Sequence, residues 1–194
     1  MNGLDLAVFR AINGLPDGLA PFFVFLSNAT KLTAGIALLV AIFIALLVFK
    51  PTRKPALLAM PSWLLANATT DVLKNLLPVE RPSSPHMILA HPEFHQWVKP
   101  LDSPGTASAH AANMMAVAVA FLWLYKPAGW CWLVVAILTG VSRVYVGVHW
   151  PSQVVLGWLC GALAATIVVK SWDAAVNLRQ RETSEDPSSR PEEP

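Results

Sequence analysis

Five stretches of the chain are apolar for long enough to approach a bilayer crossing. Residues 32–49 carry no charge and are bounded by Lys31 and Lys50. Residues 55–77 stay apolar until Asp71 and Lys74, and 107–125 form a third run. Residues 129–147 are apolar until Ser142 and Arg143, and 151–169 close the series. A bilayer core about 30 Å thick takes about 20 residues of helix. Helix is the one single-segment structure that satisfies its own backbone in lipid. The pattern therefore predicts an all-α fold, a polytopic membrane helix bundle of five spans. Residues 17–30 are apolar but short and interrupted by Pro21, which reads as an interfacial or re-entrant segment, with a shallow sixth span as the alternative. Ahead of them, Leu4, Leu6, Val8, Phe9 and Ile12 are interleaved with Asp5, Arg10 and Asn13, which predicts an N-terminal interfacial helix lying on the membrane surface.

The chain then divides into an N-terminal interfacial or re-entrant segment (1–30), a membrane domain (31–172) and a tail (173–194). After Trp172 the sequence becomes rich in Glu, Arg, Ser and Pro, so the tail is expected to be disordered. The start lacks the basic residues and small-residue cleavage site of a secretory signal.

Composition sharpens this picture. Of 194 residues, 55% are hydrophobic and 13% charged, against about 25% charged in an ordinary soluble domain. That excludes a solvated globular surface and a wholly disordered chain. A net charge of +2 gives no reason to expect nucleic acid. Cys131 and Cys160 sit in apolar runs and read as small hydrophobes. With five spans, Lys50, Arg53, Lys54, Lys126, Lys170, Arg179, Arg181 and Arg190 fall on one side, which the positive-inside rule makes the cytoplasm. Arg10, Lys31, Lys74, Arg81, Lys99 and Arg143 fall on the other.

Ionisable residues within membrane segments are costly and point to function. Here they gather at the outer end: Asp71, Lys74, Glu80 and Arg81 after the second span, Ser108 and His110 at the start of the third. Ser142, Arg143 and His149 end the fourth, and Ser152 and Gln153 begin the fifth. Three cations, two histidines and three serines at one depth suit phosphoryl transfer. Guanidinium forks match phosphate oxygens and stabilise transition-state charge. Two histidines allow one to act as nucleophile and the other as acid, then base. The arrangement requires no metal and no other cofactor.

Three motifs carry a family resemblance. Lys74, six residues, then Arg81-Pro82 resembles the first motif of the type 2 phosphatidic acid phosphatase superfamily. Ser108-Ala109-His110 resembles the second, and Ser142-Arg143, five residues, then His149 resembles the third. The order and approximate spacing match, and the resemblance covers most of the chain. It implies a membrane lipid phosphatase in which His149 attacks phosphorus and forms a phosphohistidine. His110 would protonate the leaving oxygen and then activate water. Lys74, Arg81, Ser108, the backbone at Ala109, Ser142 and Arg143 would bind phosphate, without metal. The implied substrate is a lipid phosphate or diphosphate, undecaprenyl diphosphate best of all. The implied place is a bacterial inner membrane, with the site on the extracytoplasmic side and the C-terminus in the cytoplasm. A lipid phosphotransferase and a catalytically dead binding or assembly protein are the alternatives.

The chain departs from the family pattern at three places. Ala109 stands where glycine is usual, Thr106-Ala107 replaces the usual proline context, and Gln153 stands where Asp usually orients the nucleophile. A glutamine can hold a histidine tautomer through its carbonyl but cannot stabilise an imidazolium by charge. The glucose-6-phosphatase and dolichyl-diphosphatase branches are similar in carrying Gln there.

Other residues sit around this set. Asn67, Asp71 and Lys74 share a helix face, so Asp71 is expected to pair with Lys74. Asn113, one turn beyond His110, is a further supporting candidate. His91 and His95 have an i,i+4 spacing, but Pro92 follows His91 and no third ligand is evident. The loop from Arg81 to Gly105 reads instead as a headgroup-facing segment.

Overall fold

The computed structural model describes residues 3–30, 32–101 and 103–185. All regular structure among them is helical. A short helix α1 (Gly3–Asn13) leads through a 3₁₀ turn (Asp17–Leu19) into α2 (Ala20–Asn28) and α3 (Thr33–Val48). Then come α4 (Lys50–Leu76), a one-and-a-half-turn α5 (Pro85–Ala90), α6 (Ala109–Leu124), α7 (Lys126–Tyr145) and α8 (Pro151–Glu185).

Proline sets several starts. Pro51, Pro85, Pro127 and Pro151 occupy first turns, where a missing N–H costs nothing. Ser84 and Ser108 cap α5 and α6 by accepting from the N–H groups of Met87 and Ala111.

Helix α6 is the hub, packed on α4, α7 and α8, with α4 also against α8. The seam is built of small residues: Ala56, Ala59 and Ala66 on α4, Ala112, Ala116 and Ala120 on α6, Ala164 and Ala165 on α8. Small side chains let helix axes approach closely, the usual device where lipid offers no hydrophobic drive for association. At Gly161 the backbone of α6 comes so near that any Cβ would collide with Ala112. Large apolar residues instead face outward, among them Leu38, Ile44, Leu64, Val134, Leu159 and Leu163. A bundle with alanine inside and Leu, Ile and Val outside is suited to lipid as solvent.

By length and apolarity, α7 and α8 (up to Thr183) can each cross a membrane, and the pair α2–α3, bent by 63°, raises the number to three. The apolar α6 is shorter, with 16 residues. Helix α4 has 27 residues, but its polar content keeps it off this count.

One expectation needs correction. The chain from Asp173, expected to be disordered, continues α8 as a helix to Glu185, largely exposed as far as Thr183. Ala174, Ala175, Leu178, Arg179, Gln180 and Arg181 are strong helix formers that extend an existing helix without a new nucleation step. Lys54–Asp173 at 3.4 Å and Lys170 over the Trp123 ring at 4.1 Å tie its root to the bundle. Residues 186–194 of that tail, Arg190 among them, and Lys31 lie outside the described residues.

Candidate active site

The turn between α7 and α8 brings the third motif back on itself. After Tyr145 the chain passes through Gly147 at φ +84°, a conformation that L side chains rarely adopt. The N–H groups of Val148 and His149 then both reach the carbonyl of Arg143, at 3.1 and 3.2 Å. The five-residue spacing between Arg143 and His149 is thus one closed turn, and it sets the imidazole over the end of α7. Both residues are buried, 2% and 3% exposed.

The imidazole is locked from two sides. Nδ1 lies 3.0 Å from Gln153 Oε1. The amide orientation of Gln153 follows from its other neighbours: Nε2 donates to the Glu80 carbonyl at 3.0 Å, and Oε1 accepts from the Trp150 N–H at 3.2 Å. A carbonyl can only accept and an N–H only donate, so Oε1 must face the ring, and Nδ1 must carry the proton. Nε2 is left with its lone pair. Gln153 thereby makes the tautomer-holding hydrogen bond open to it from sequence. Burial pushes the His149 pKa well below the usual histidine range, and the charges of Arg81, then Arg143, add to this. The ring is neutral at neutral pH. His110 also acts on its charge, which puts the two histidines in one electrostatic neighbourhood.

Arg81 is more heavily engaged than its motif suggests. Nε donates to Ser103 O at 2.6 Å, and Nη2 to Ser103 Oγ at 3.2 Å and Pro104 O at 2.9 Å. Nη1 donates to Val148 O at 3.0 Å and lies 2.7 Å from His149 Nε2. A guanidinium has five N–H groups, and all five have protein acceptors. Burial lowers the Arg81 pKa to about 10, so it stays a cation at neutral pH. The loop it binds is pinned at both ends: Gly105 N donates to Val79 O at 2.7 Å, and Thr106 Oγ1 bonds Leu77 O.

Arg143 is held differently. Its Nη1 donates to the carbonyl of Ser27, at 3.2 Å, and to the Ser27 hydroxyl, both at the end of α2. Its buried Nε has no hydrogen-bond partner among the described residues. Arg143 therefore has a donor in reserve where Arg81 has none.

The second motif lies alongside. Ser108 N donates to the Gln153 carbonyl at 2.9 Å, joining the start of α6 to the start of α8. Ala109 is the first residue of α6, and no non-glycine residue has positive φ among those described. Alanine in place of glycine thus introduces no torsional strain.

Two expected phosphate ligands are placed otherwise. Ser142 is fully buried, and its hydroxyl donates at 2.7 Å to Thr139 O within its own helix, so its proton is not presented to a ligand. Lys74 donates to Asp71 at 2.9 Å. Asp71 accepts from Asn67 at 3.0 Å, and Asn67 accepts from Asn113 at 3.4 Å. This polar chain links α4 to α6, and no hydrogen bond among the described residues joins it to Arg81 or His149. The expected Asp71–Lys74 pair is present; Asn113 serves that chain.

His91 and His95 separate, His91 stacking on Phe94 at 4.6 Å and His95 meeting Trp97 edge-on. Ser27, the Glu80 carbonyl and the Ser103–Pro104 carbonyls were not legible as site residues. A buried serine in an apolar helix was the only signal among them, and backbone carbonyls leave none.

Comparison with known proteins agrees with the geometry. Residues 55–176 match the PAP2 superfamily. An undecaprenyl-diphosphatase of Sulfolobus acidocaldarius is 35% identical over 128 residues, which cover 64% of this chain and 59% of that protein's length. The crystal structure of Aquifex aeolicus LpxE has a similar fold, with a TM-score of 0.70 at 24% identity, over 87% of this chain and 96% of that one. The transmembrane PAP2-type phosphatidylglycerolphosphate phosphatase of Bacillus subtilis aligns with a TM-score of 0.65 at 22% identity, over 89% and 86%. The match over residues 55–176 spans all three motifs, and the chain belongs to the PAP2 superfamily.

Proposed function

We propose that the protein is an integral-membrane lipid phosphatase that releases phosphate from a lipid diphosphate, with undecaprenyl diphosphate as the leading substrate. The observation that carries this is the lock on His149: a proton fixed on Nδ1 by Gln153 and a lone pair on Nε2 beside Arg81, within the electrostatic influence of Arg143. The likeness to the Sulfolobus undecaprenyl-diphosphatase supports the substrate class.

In this reading His149 Nε2 attacks the terminal phosphorus as the bond to the bridging oxygen breaks, and His110 gives that oxygen a proton. Neutral His110 then takes a proton from water, which attacks the phosphohistidine and frees phosphate. The balance is water plus lipid diphosphate to lipid monophosphate plus phosphate. Attack requires Arg81 Nη1 to exchange Nε2 for a phosphate oxygen, while Arg143 Nε supplies a donor already free. Ser108 and the first N–H groups of α6 complete the cradle. Five spans, built on α3, α4, α6, α7 and α8, put this end outside the cytoplasm of a bacterial-type plasma membrane and the C-terminus within it.

The test is phosphate release from undecaprenyl diphosphate, phosphatidylglycerophosphate and a lipid A phosphate by purified protein in detergent with EDTA, against His149→Ala. Release from the first substrate that is lost by several orders of magnitude in the variant is the expected result. Undiminished release by the variant contradicts the assignment of the nucleophile.

A further inference from the structure

Helix α1 touches the α7–α8 turn at three points spaced four residues apart. Asp5, Phe9 and Asn13 are its buried residues, and that spacing puts them on one face. Asn13 Nδ2 donates to the carbonyls of Tyr145 at 2.8 Å and His95 at 2.9 Å, and its Oδ1 accepts from His95 N at 2.9 Å. Phe9 packs on Trp150 at 4.9 Å and on Phe94 at 4.7 Å between ring centroids. Asp5 Oδ1 accepts from Ser152 N at 2.9 Å, and Oδ2 from Ser152 Oγ at 2.7 Å. The helix therefore spans the segment from residue 145 to 152, whose interior holds His149.

The Asp5 contact completes a cap that α8 lacks. Trp150 precedes Pro151, the first residue of α8, and an indole offers no acceptor for a first-turn N–H. Half of a capping box is present: Gln153, third in the helix, reaches back to the Trp150 N–H at 3.2 Å. The missing half is the acceptor for the first-turn N–H groups. Asp5 provides it from another helix, with a negative charge at the positive end of α8. The turn it closes contains Gln153, the residue that holds the His149 tautomer.

We propose that Asp5 is a positioning residue for the proposed reaction: by capping α8 through Ser152 it fixes Gln153, and through Gln153 the orientation of His149. This rests on the phosphatase reading for its kinetic consequence but not for its structural one. Arg81 is anchored mainly on Ser103 and Pro104 and Arg143 on Ser27, all outside this turn, so loss of Asp5 acts more on turnover than on KM. A misplaced reacting group costs rate out of proportion to the displacement.

Two measurements on the full chain in detergent test it. Amide hydrogen exchange compares wild type with Asp5→Ala: faster exchange confined to residues 145–153, with α6 unchanged, is expected. Unchanged exchange there, or an increase throughout the bundle, overturns the proposal whether or not any substrate is hydrolysed. Kinetics then follow on the lipid phosphate that wild type hydrolyses. For Asp5→Ala we expect kcat lower by about tenfold or more with KM within about threefold. Asp5→Asn, which keeps an acceptor, should lie closer to wild type than Asp5→Ala. Arg10→Ala removes only the exposed Arg10–Glu93 pair of α1, at 2.9 Å, and should leave kcat unchanged. A kcat for Asp5→Ala within twofold of wild type, a loss in KM alone, or an equal loss in Arg10→Ala overturns the proposal. Should Asp5→Ala fail to fold, Ser152→Ala and Asp5→Asn carry both measurements, with a smaller kcat loss at constant KM as the expected result and no loss as the overturning one. Absence of phosphate release by wild type would defeat the phosphatase reading and leave the exchange measurement to decide the role of Asp5.

Discussion

Replacing Gln153 by Glu changes one atom group and reverses the electrostatics of His149. The side chain keeps its length, so one carboxylate oxygen can still accept from His149 Nδ1 and Trp150 N, now 3.0 and 3.2 Å from Oε1. The other oxygen takes the place of Nε2, 3.0 Å from the Glu80 carbonyl, where two acceptors would meet. A buried acceptor left unmatched costs about 1–3 kcal/mol, so the variant should unfold at a lower temperature. The larger effect is on the ring. A charge about 4 Å away contributes about 4 kcal/mol at an effective dielectric near 20, or about three pKa units. It opposes the burial and arginine charges that hold His149 neutral. The ring would then hold a proton at Nε2 up to a higher pH than in wild type, removing the attacking lone pair and setting N–H against the Arg81 Nη1 group, now 2.7 Å away. The assay is kcat/KM for lipid-phosphate hydrolysis from pH 5 to 9. The acid limb should move upward by about one to three units, so activity is lost on acidification at a higher pH than in wild type. An acid limb within about 0.3 units of wild type would show that the amide does not govern the ionisation of His149.

Three further outcomes follow from the same geometry. Ser27→Ala removes the hydroxyl that accepts from Arg143 but leaves the Ser27 carbonyl in place, so kcat/KM should fall about fivefold, or about 1 kcal/mol, on the hydrolysis assay. Gly147→Ala forces a side chain into φ +84° with its Cβ 2.5 Å from the His95 carbonyl; a loss of about 1–3 kcal/mol in thermal unfolding, with activity falling further, is expected. His149 has its folded pKa depressed, so below about 6.5 the unfolded chain binds a proton that the folded chain refuses. Stability is complete above that value and falls with acidification toward the folded pKa, by at most about 1.4 kcal/mol per pH unit. Unfolding temperatures between pH 7.5 and 5.5 should show a steeper acid loss in wild type than in His149→Asn.

The helices were legible because they depend on local signals, and so was the nearness of Arg81, Gln153 and His149, whereas Lys74 of the first motif stays with Asp71. The apolar runs at 129–147 and 151–169 became α7 and the first part of α8, shifted only at their ends. Ser-Arg-x₅-His was readable as a motif; its physical basis, one turn closed on the Arg143 carbonyl through Gly147, was not. The roles of individual donors were hidden for a related reason. Residue type says that Arg81 can donate five times, but only the fold says that Ser103, Pro104, Val148 and His149 receive all of them. Ser142 looked like a phosphate ligand from its place beside Arg143, and helix geometry instead turned its hydroxyl onto Thr139. The tail misled because its charged composition suits disorder, whereas the helix beneath it lowers the cost of continuing.

The most direct test of the account is to trap the covalent intermediate. Protein is mixed with lipid diphosphate labelled in its terminal phosphate, quenched in base, where phosphohistidine survives, and mapped by mass spectrometry. The account expects label on His149 and none in His149→Ala; in His110→Ala, once label has formed, its release to water should be slower than in wild type, because that water lacks its base. Label on any other residue, or hydrolysis by His149→Ala at the wild-type rate, would contradict it.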